Sequence, residues 1–148
     1  MEMAEILTGQ MKFAVNNFCN NLDFIPDDKL NWKPAPTANS ALEIANHLSN
    51  ALYGIPHLLG GDETSAQWTP ATNREEAKTL LQKGADNYIA QLQKLTPQDL
   101  ARTVTLPLGE LPLPVAAGIP VVEMINHHGQ ITYIQTLLGD TESHLLIG

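Results

Sequence analysis

A chain of 148 residues with 43 % hydrophobic content has the size and composition of one ordinary soluble domain spanning residues 1–148. Eight basic residues against sixteen acidic ones give a formal charge of −8, which excludes nucleic acid and anionic membrane surfaces as expected partners. The sequence has no P-loop, dinucleotide fingerprint, Gly-x-Ser-x-Gly elbow or CxxC pair, no transmembrane-length apolar run, and no signal-like start in Met-Glu-Met-Ala-Glu.

From about Ala4 to Leu22, the apolar residues Leu7, Met11, Val15, Phe18 and Leu22 recur every three or four positions and predict a first helix. Cys19 lies on it; as the only cysteine it excludes an intramolecular disulfide and fits a reducing cytoplasm. No lysine close in sequence and no helix N-terminus activates the thiol, so it reads as a packed side chain. Ile25-Pro26-Asp27-Asp28 breaks the helix. The stretch Leu30 to Pro36 is an extended connection, because each proline biases its predecessor away from helix, and Trp32 within it is expected to pack over the bundle end.

Ser40 and Glu43 have the spacing of a capping box for a second helix, whose apolar face of Leu42, Ile44, Ala45, Leu48, Leu52 and Ile55 runs towards Pro56. His47 lies on the margin of that face. His57 reads as an exposed residue or one that stabilises the helix C-terminus, and Gly60-Gly61-Asp62 opens a loop. Thr72 or Asn73 caps a third helix, with Glu75 and Glu76 in its first turn and an apolar rhythm from Leu80 to Leu95. Gly84 in its middle costs about 1 kcal/mol against alanine and so points to close helix packing.

Between Val104 and Pro114 the apolar residues are interrupted by Pro107, Gly109 and Pro112, which predicts short extended pieces around a turn at Gly109. This long connection is the expected lid or dimer-facing element. Gly118 and Pro120 are expected to open the fourth helix, and Gly139 to cap its end.

On that fourth helix Met124, Ile131, Ile134 and Leu138 fall on one stripe, and His127 lies inside it. Glu123 sits one turn earlier on much the same side. A carboxylate and an imidazole thus approach the interior from consecutive turns, and a metal ion is the usual compensation for desolvating such a pair. His128 points about 100° away, towards Val121, Ile125 and Gln135.

Four amphipathic helices point to a bundle, and facing helices of bundles build metal sites. His47, Glu123 and His127 would supply two imidazoles and one carboxylate, leaving room for water or substrate. The alternative is blander: His127 hydrogen bonds within the core and Glu123 stabilises the helix dipole. Gln130 either orients a ligand through a hydrogen bond or is an ordinary polar helix residue. A third alternative is an apolar ligand in the interior, with Trp32 and Tyr133 near its mouth.

Two segments carry a resemblance over essentially the whole chain: Trp32-x-Pro34-x-Pro36 before a helix with Asn46-His47, and Asn126-His127-His128-Gly129-Gln130-Ile131 followed by Leu137-Leu138-Gly139. The sequence resembles the DinB/YfiT-like superfamily. The resemblance implies an all-α, up-down four-helix bundle with a long Pro/Gly-rich connection before the last helix. It also implies a divalent metal ion (nickel, zinc or iron), a small-molecule, thiol-related substrate for a transferase or hydrolase, and a homodimer. Family members place one histidine on the second helix and two on the fourth. Aligning Gly129-Gln130 puts His127 on the second of these, His128 on a usual arginine, and Glu123 where the other histidine stands. The ligand set is therefore mixed, and a non-catalytic dimeric bundle with a degenerate site is the competing expectation.

Overall fold

A computed structural model describes residues 2–59, 67–107 and 109–147, apart from the side chains of Pro56 and His57. The readings of His57 as a C-terminal residue and of a loop opening at Gly60 therefore lie outside the described residues. Four helices form the body: α1 (Met3–Leu22), α2 (Ala41–Leu58), α3 (Arg74–Leu92) and α4 (Leu113–Leu137). Between α3 and α4 runs an antiparallel hairpin, β1 (Thr103–Leu106) and β2 (Gly109–Pro112), with Leu106 opposite Gly109. Gly109 has φ +133°, a conformation open to glycine and strained for other residues, which is why the turn falls there. No helix among the described residues is long and apolar enough to cross a membrane.

Local chemistry sets the helix starts. The Glu43 N–H donates to Ser40 Oγ at 3.2 Å while the Ser40 N–H donates to Glu43 Oε2 at 2.8 Å, a reciprocal capping box on α2. Asn73 caps α3 by accepting from the Glu76 N–H at 2.9 Å. Helix α4 corrects the sequence expectation. It opens at Leu113, not at Gly118 or Pro120, because Pro114 already occupies the first-turn position that needs no N–H. The Leu113 N–H donates to Arg102 O at 2.9 Å and ties this start to the hairpin. Pro120 is instead buried inside the helix, where it removes the N–H that would meet the Ala116 carbonyl. At the far end Gly139 (φ +101°) closes a Schellman motif, with Asp140 N–H to Gln135 O at 3.2 Å and Gly139 N–H to Thr136 O at 3.0 Å.

Helix α1 packs against α3 and α4, and α2 packs against the same two, so α1 and α2 face each other across a diagonal. Side-chain contacts fix the directions. Arg74 and Lys78 at the start of α3 reach Leu22 and Asp23 at the end of α1, so these two are antiparallel. Leu7 meets Gly118 and Asn21 meets Gln135, so α1 and α4 run parallel. Ile44 lies by Ile134 and Leu52 by Pro120, so α2 and α4 are antiparallel. The up-down bundle takes the form up, down, down, up. Its centre is filled by Met11, Phe18, Leu48, Leu81, Met124 and Ile131, all at most 2 % exposed. The buried Tyr88 hydroxyl donates to Ala117 O at 2.6 Å across the other diagonal, and burial pushes its phenol well above the ordinary range.

Gly84 marks the closest approach of α3 to α2: a Cβ there would lie 2.7 Å from Leu52 Cβ. Alanine would gain about 1 kcal/mol of helix propensity. It would also meet an atom fixed to the backbone, and overpacking of that kind costs about 1–3 kcal/mol. Gly84→Ala is expected to lower the melting temperature by up to about 6 °C. A higher melting temperature in a thermal scan would show that the two helices separate freely.

The tail after α4 is ordered against α1. Asn17 Nδ2 donates to Leu146 O at 3.3 Å and its Oδ1 accepts the Leu146 N–H at 2.7 Å, as a neighbouring strand would. Asn20 Nδ2 donates to His144 O at 2.7 Å, and the His144 ring stacks on Phe24 with centroids 3.4 Å apart. Beneath it a relay is buried: Asn21 Nδ2 donates to Gln135 Oε1 (2.6 Å), and Gln135 Nε2 donates to Glu142 O (3.0 Å).

Candidate metal centre

Antiparallel packing of α2 and α4 brings His47 opposite Glu123 and His127. Their ligand atoms, two imidazole nitrogens and a carboxylate oxygen, all lie within 4.8 Å of one another. Glu123 Oε2 stands between the rings, 3.3 Å from His127 Nε2 and 3.7 Å from His47 Nε2. The two rings meet edge-on, with centroids 4.9 Å apart and planes at 72°. Donors bound at about 2.0–2.2 Å to one tetrahedral ion lie roughly 3.3 Å apart. The Glu123–His127 pair already has that spacing, and His47 needs only a small side-chain movement to match it. The residues present fit a divalent ion.

The structure corrects one part of the sequence reading. The cluster sits at the rim of the α2/α4 seam and not in the desolvated interior: the side chains of His127, Glu123 and His47 are 13 %, 40 % and 55 % exposed. The core positions next to them are taken by Leu48 and Met124, which leaves the polar groups at the edge.

Gln130 takes the orienting role that its side of the helix allowed. Its Oε1 accepts from His127 Nδ1–H at 2.6 Å, which selects the tautomer with an unprotonated Nε2 facing Glu123 and His47. His128 turns the other way. Its Nε2–H donates to Asn21 Oδ1 at 2.7 Å, and burial lowers its pKa, so the ring is a neutral structural donor. Asn46 explains its place beside His47: its amide exchanges two hydrogen bonds with the backbone of Ala71, at 2.7 and 3.0 Å, and fixes the segment entering α3 against α2. Sequence reasoning missed the roles of Asn46 and Asn21, whose partners are distant in sequence and follow no periodicity. Trp32 packs against the core, as expected of it. Cys19 is also a packed residue, and burial pushes its thiol up to about 11.

No curated protein matches the sequence. Among solved structures, a DinB-like protein of Bacillus subtilis, YjoA, superposes with a TM-score of 0.71 at 18 % identity, covering 95 % of this chain and 96 % of that one. YfiT of Bacillus subtilis, described as a probable metal-dependent hydrolase with an unusual four-helix bundle topology, superposes with a TM-score of 0.75 at 17 % identity, covering 92 % and 87 %. At these identities the likeness is one of fold. The sequence itself matches the DinB superfamily over residues 12–131, and the chain belongs to that superfamily.

Proposed function

We propose that the protein binds one divalent metal ion through His47, Glu123 and His127 and acts as a metal-dependent hydrolase or transferase on a small substrate. The observation that carries this reading is the convergence of three donor atoms from two helices within 4.8 Å. The description of YfiT as a probable metal-dependent hydrolase supports the same class. A divalent ion supplies Lewis acidity near neutral pH, acidifying a water or thiol beside it. The chain's own residues do the rest. Glu123 offsets the ion's charge from between the rings, Gln130 holds His127 in the donor tautomer, and the exposed flank at His47 admits the substrate. A thiol-related substrate, nickel, zinc or iron as the ion, and a cytoplasmic location that keeps Cys19 reduced complete the reading.

The test is elemental analysis of chelator-stripped protein reloaded with zinc or nickel, beside a turnover assay on small amides and thioesters. About one ion per chain is expected in the wild type and a small fraction of that in His47→Ala and His127→Ala. Equal, substoichiometric metal in all three would end the proposal. Gln130→Leu is expected to keep the stoichiometry but weaken zinc about 10- to 100-fold in competition with a chromophoric chelator. The competing reading, a non-catalytic bundle with a degenerate site, is favoured by the carboxylate at position 123 and by the exposure of His47. It predicts stability indifferent to chelator.

We further propose a homodimer through the outer face of α4, where Val115, Val122 and Ile125 are 54 %, 64 % and 53 % exposed. Sedimentation of Val122→Glu beside the wild type tests it; a wild-type monomer at high concentration removes it.

A further inference from the structure

The cluster lies between two separate hollows along the α2/α4 seam. On one side of Glu123 an apolar groove of about 70 Å³ is lined by Leu48, Leu52, Ile55, Ile119 and Met124. Among the described residues Glu123 is the only ionisable group on its wall. On the other side, beyond His127, a hollow is bordered by Thr37, Asn39, Gln130 and Tyr133. Ile44 in the hollow and Ile55 in the groove are eleven residues apart on α2, so the two lie within roughly 16 Å of each other along the helix at 1.5 Å per residue. The metal candidates stand between this apolar groove and a mixed hollow, where Pro34, Ala38 and Ile134 lie beside the exposed amides of Asn39 and Gln130.

From this order along the seam we infer that the substrate is amphipathic. A short aliphatic group enters the Leu48–Met124 groove, and a hydrogen-bonding portion lies over Asn39 and Gln130. The bond that reacts then rests beside Glu123. The inference builds on the metal reading and adds the class of substrate. The physical reason is burial: the groove removes each methylene from water between two packed helices, whereas the opposite hollow presents the exposed amides of Asn39 and Gln130, which a polar group can meet.

The probe is a homologous series of aliphatic hydroxamic acids, from acetohydroxamic to octanohydroxamic acid, titrated calorimetrically into zinc-loaded protein. Affinity is expected to tighten about two- to four-fold per added methylene until the groove is full, and then to level off. Ala51 lines the mouth of the groove and is exposed, so Ala51→Phe fills the groove without entering the core. In that variant the affinity for octanohydroxamic acid is expected to fall to that for acetohydroxamic acid. A flat series in the wild type with acetohydroxamic acid bound overturns the inference and leaves the metal reading standing. Methyl NMR of metal-free protein separates the two independently: octanoate, but not acetate, is expected to shift the Ile55 and Met124 methyl signals. Absent shifts overturn the groove assignment whether or not zinc binds. Shifts without zinc binding overturn the metal reading alone.

Discussion

Zinc or nickel added to chelator-stripped protein is expected to raise its melting temperature by about 5–10 °C at a hundredfold excess over Kd. The size follows from linkage: an ion that binds only the folded chain contributes about 2.7 kcal/mol at that excess. Only the folded chain has the site, because His47 and the Glu123/His127 pair sit on different helices. Without the ion the same side chains are worth little. Glu123 and His47 are 40 % and 55 % exposed, and ion pairs so open to solvent are screened to below about 1 kcal/mol. His47→Ala and Glu123→Gln should therefore melt within a few degrees of the stripped wild type. What they lose is most of the metal-induced rise. A rise of full size in His47→Ala, seen in the same scans, would place the ion elsewhere.

Asn21→Leu is expected to be the most damaging single change away from the cluster, lowering stability by about 2–5 kcal/mol. Asn21 is 2 % exposed and uses both ends of its amide, donating to Gln135 Oε1 and accepting from His128 Nε2–H. Leucine would leave the buried Gln135 Oε1 and the half-buried His128 Nε2–H without their partner, and each such loss costs about 1–3 kcal/mol. The damage should spread to the tail, since Gln135 in turn holds Glu142 O. Chemical denaturation measures the loss. A change below about 0.5 kcal/mol would mean that water reaches the relay.

The helices were legible because each has a buried stripe at helical spacing, and their starts because Ser40, Glu43 and Asn73 declare themselves through local hydrogen bonds. Gly84 announced close packing for a similar reason: glycine in mid-helix is unfavourable unless something occupies its missing Cβ. The candidate cluster was legible as a spacing on α4 plus one marginal histidine on α2. What could not be read was the choice among prolines at the head of α4, where Pro114 and Pro120 satisfy the same local rule and only the bond to Arg102 decides. Nor could the order of helix directions be read, since it is set by which faces meet and not by any face alone. The asparagines of α1 carry no signal of their role in the sequence. Their partners are carbonyls and amides of the tail more than a hundred residues later, and such bonds leave no pattern in sequence.

The placement of the three donors also bears on how the chain reaches its native state. Glu123 and His127 lie one turn apart, so an ion can bridge them as soon as that turn forms, before α2 has docked. His47 joins only when the seam closes. Zinc should then speed refolding by stapling α4 early and slow unfolding through the later bond to His47. Stopped-flow traces of His47→Ala would separate the two: the faster refolding limb should survive, while the slower unfolding limb returns to its metal-free rate.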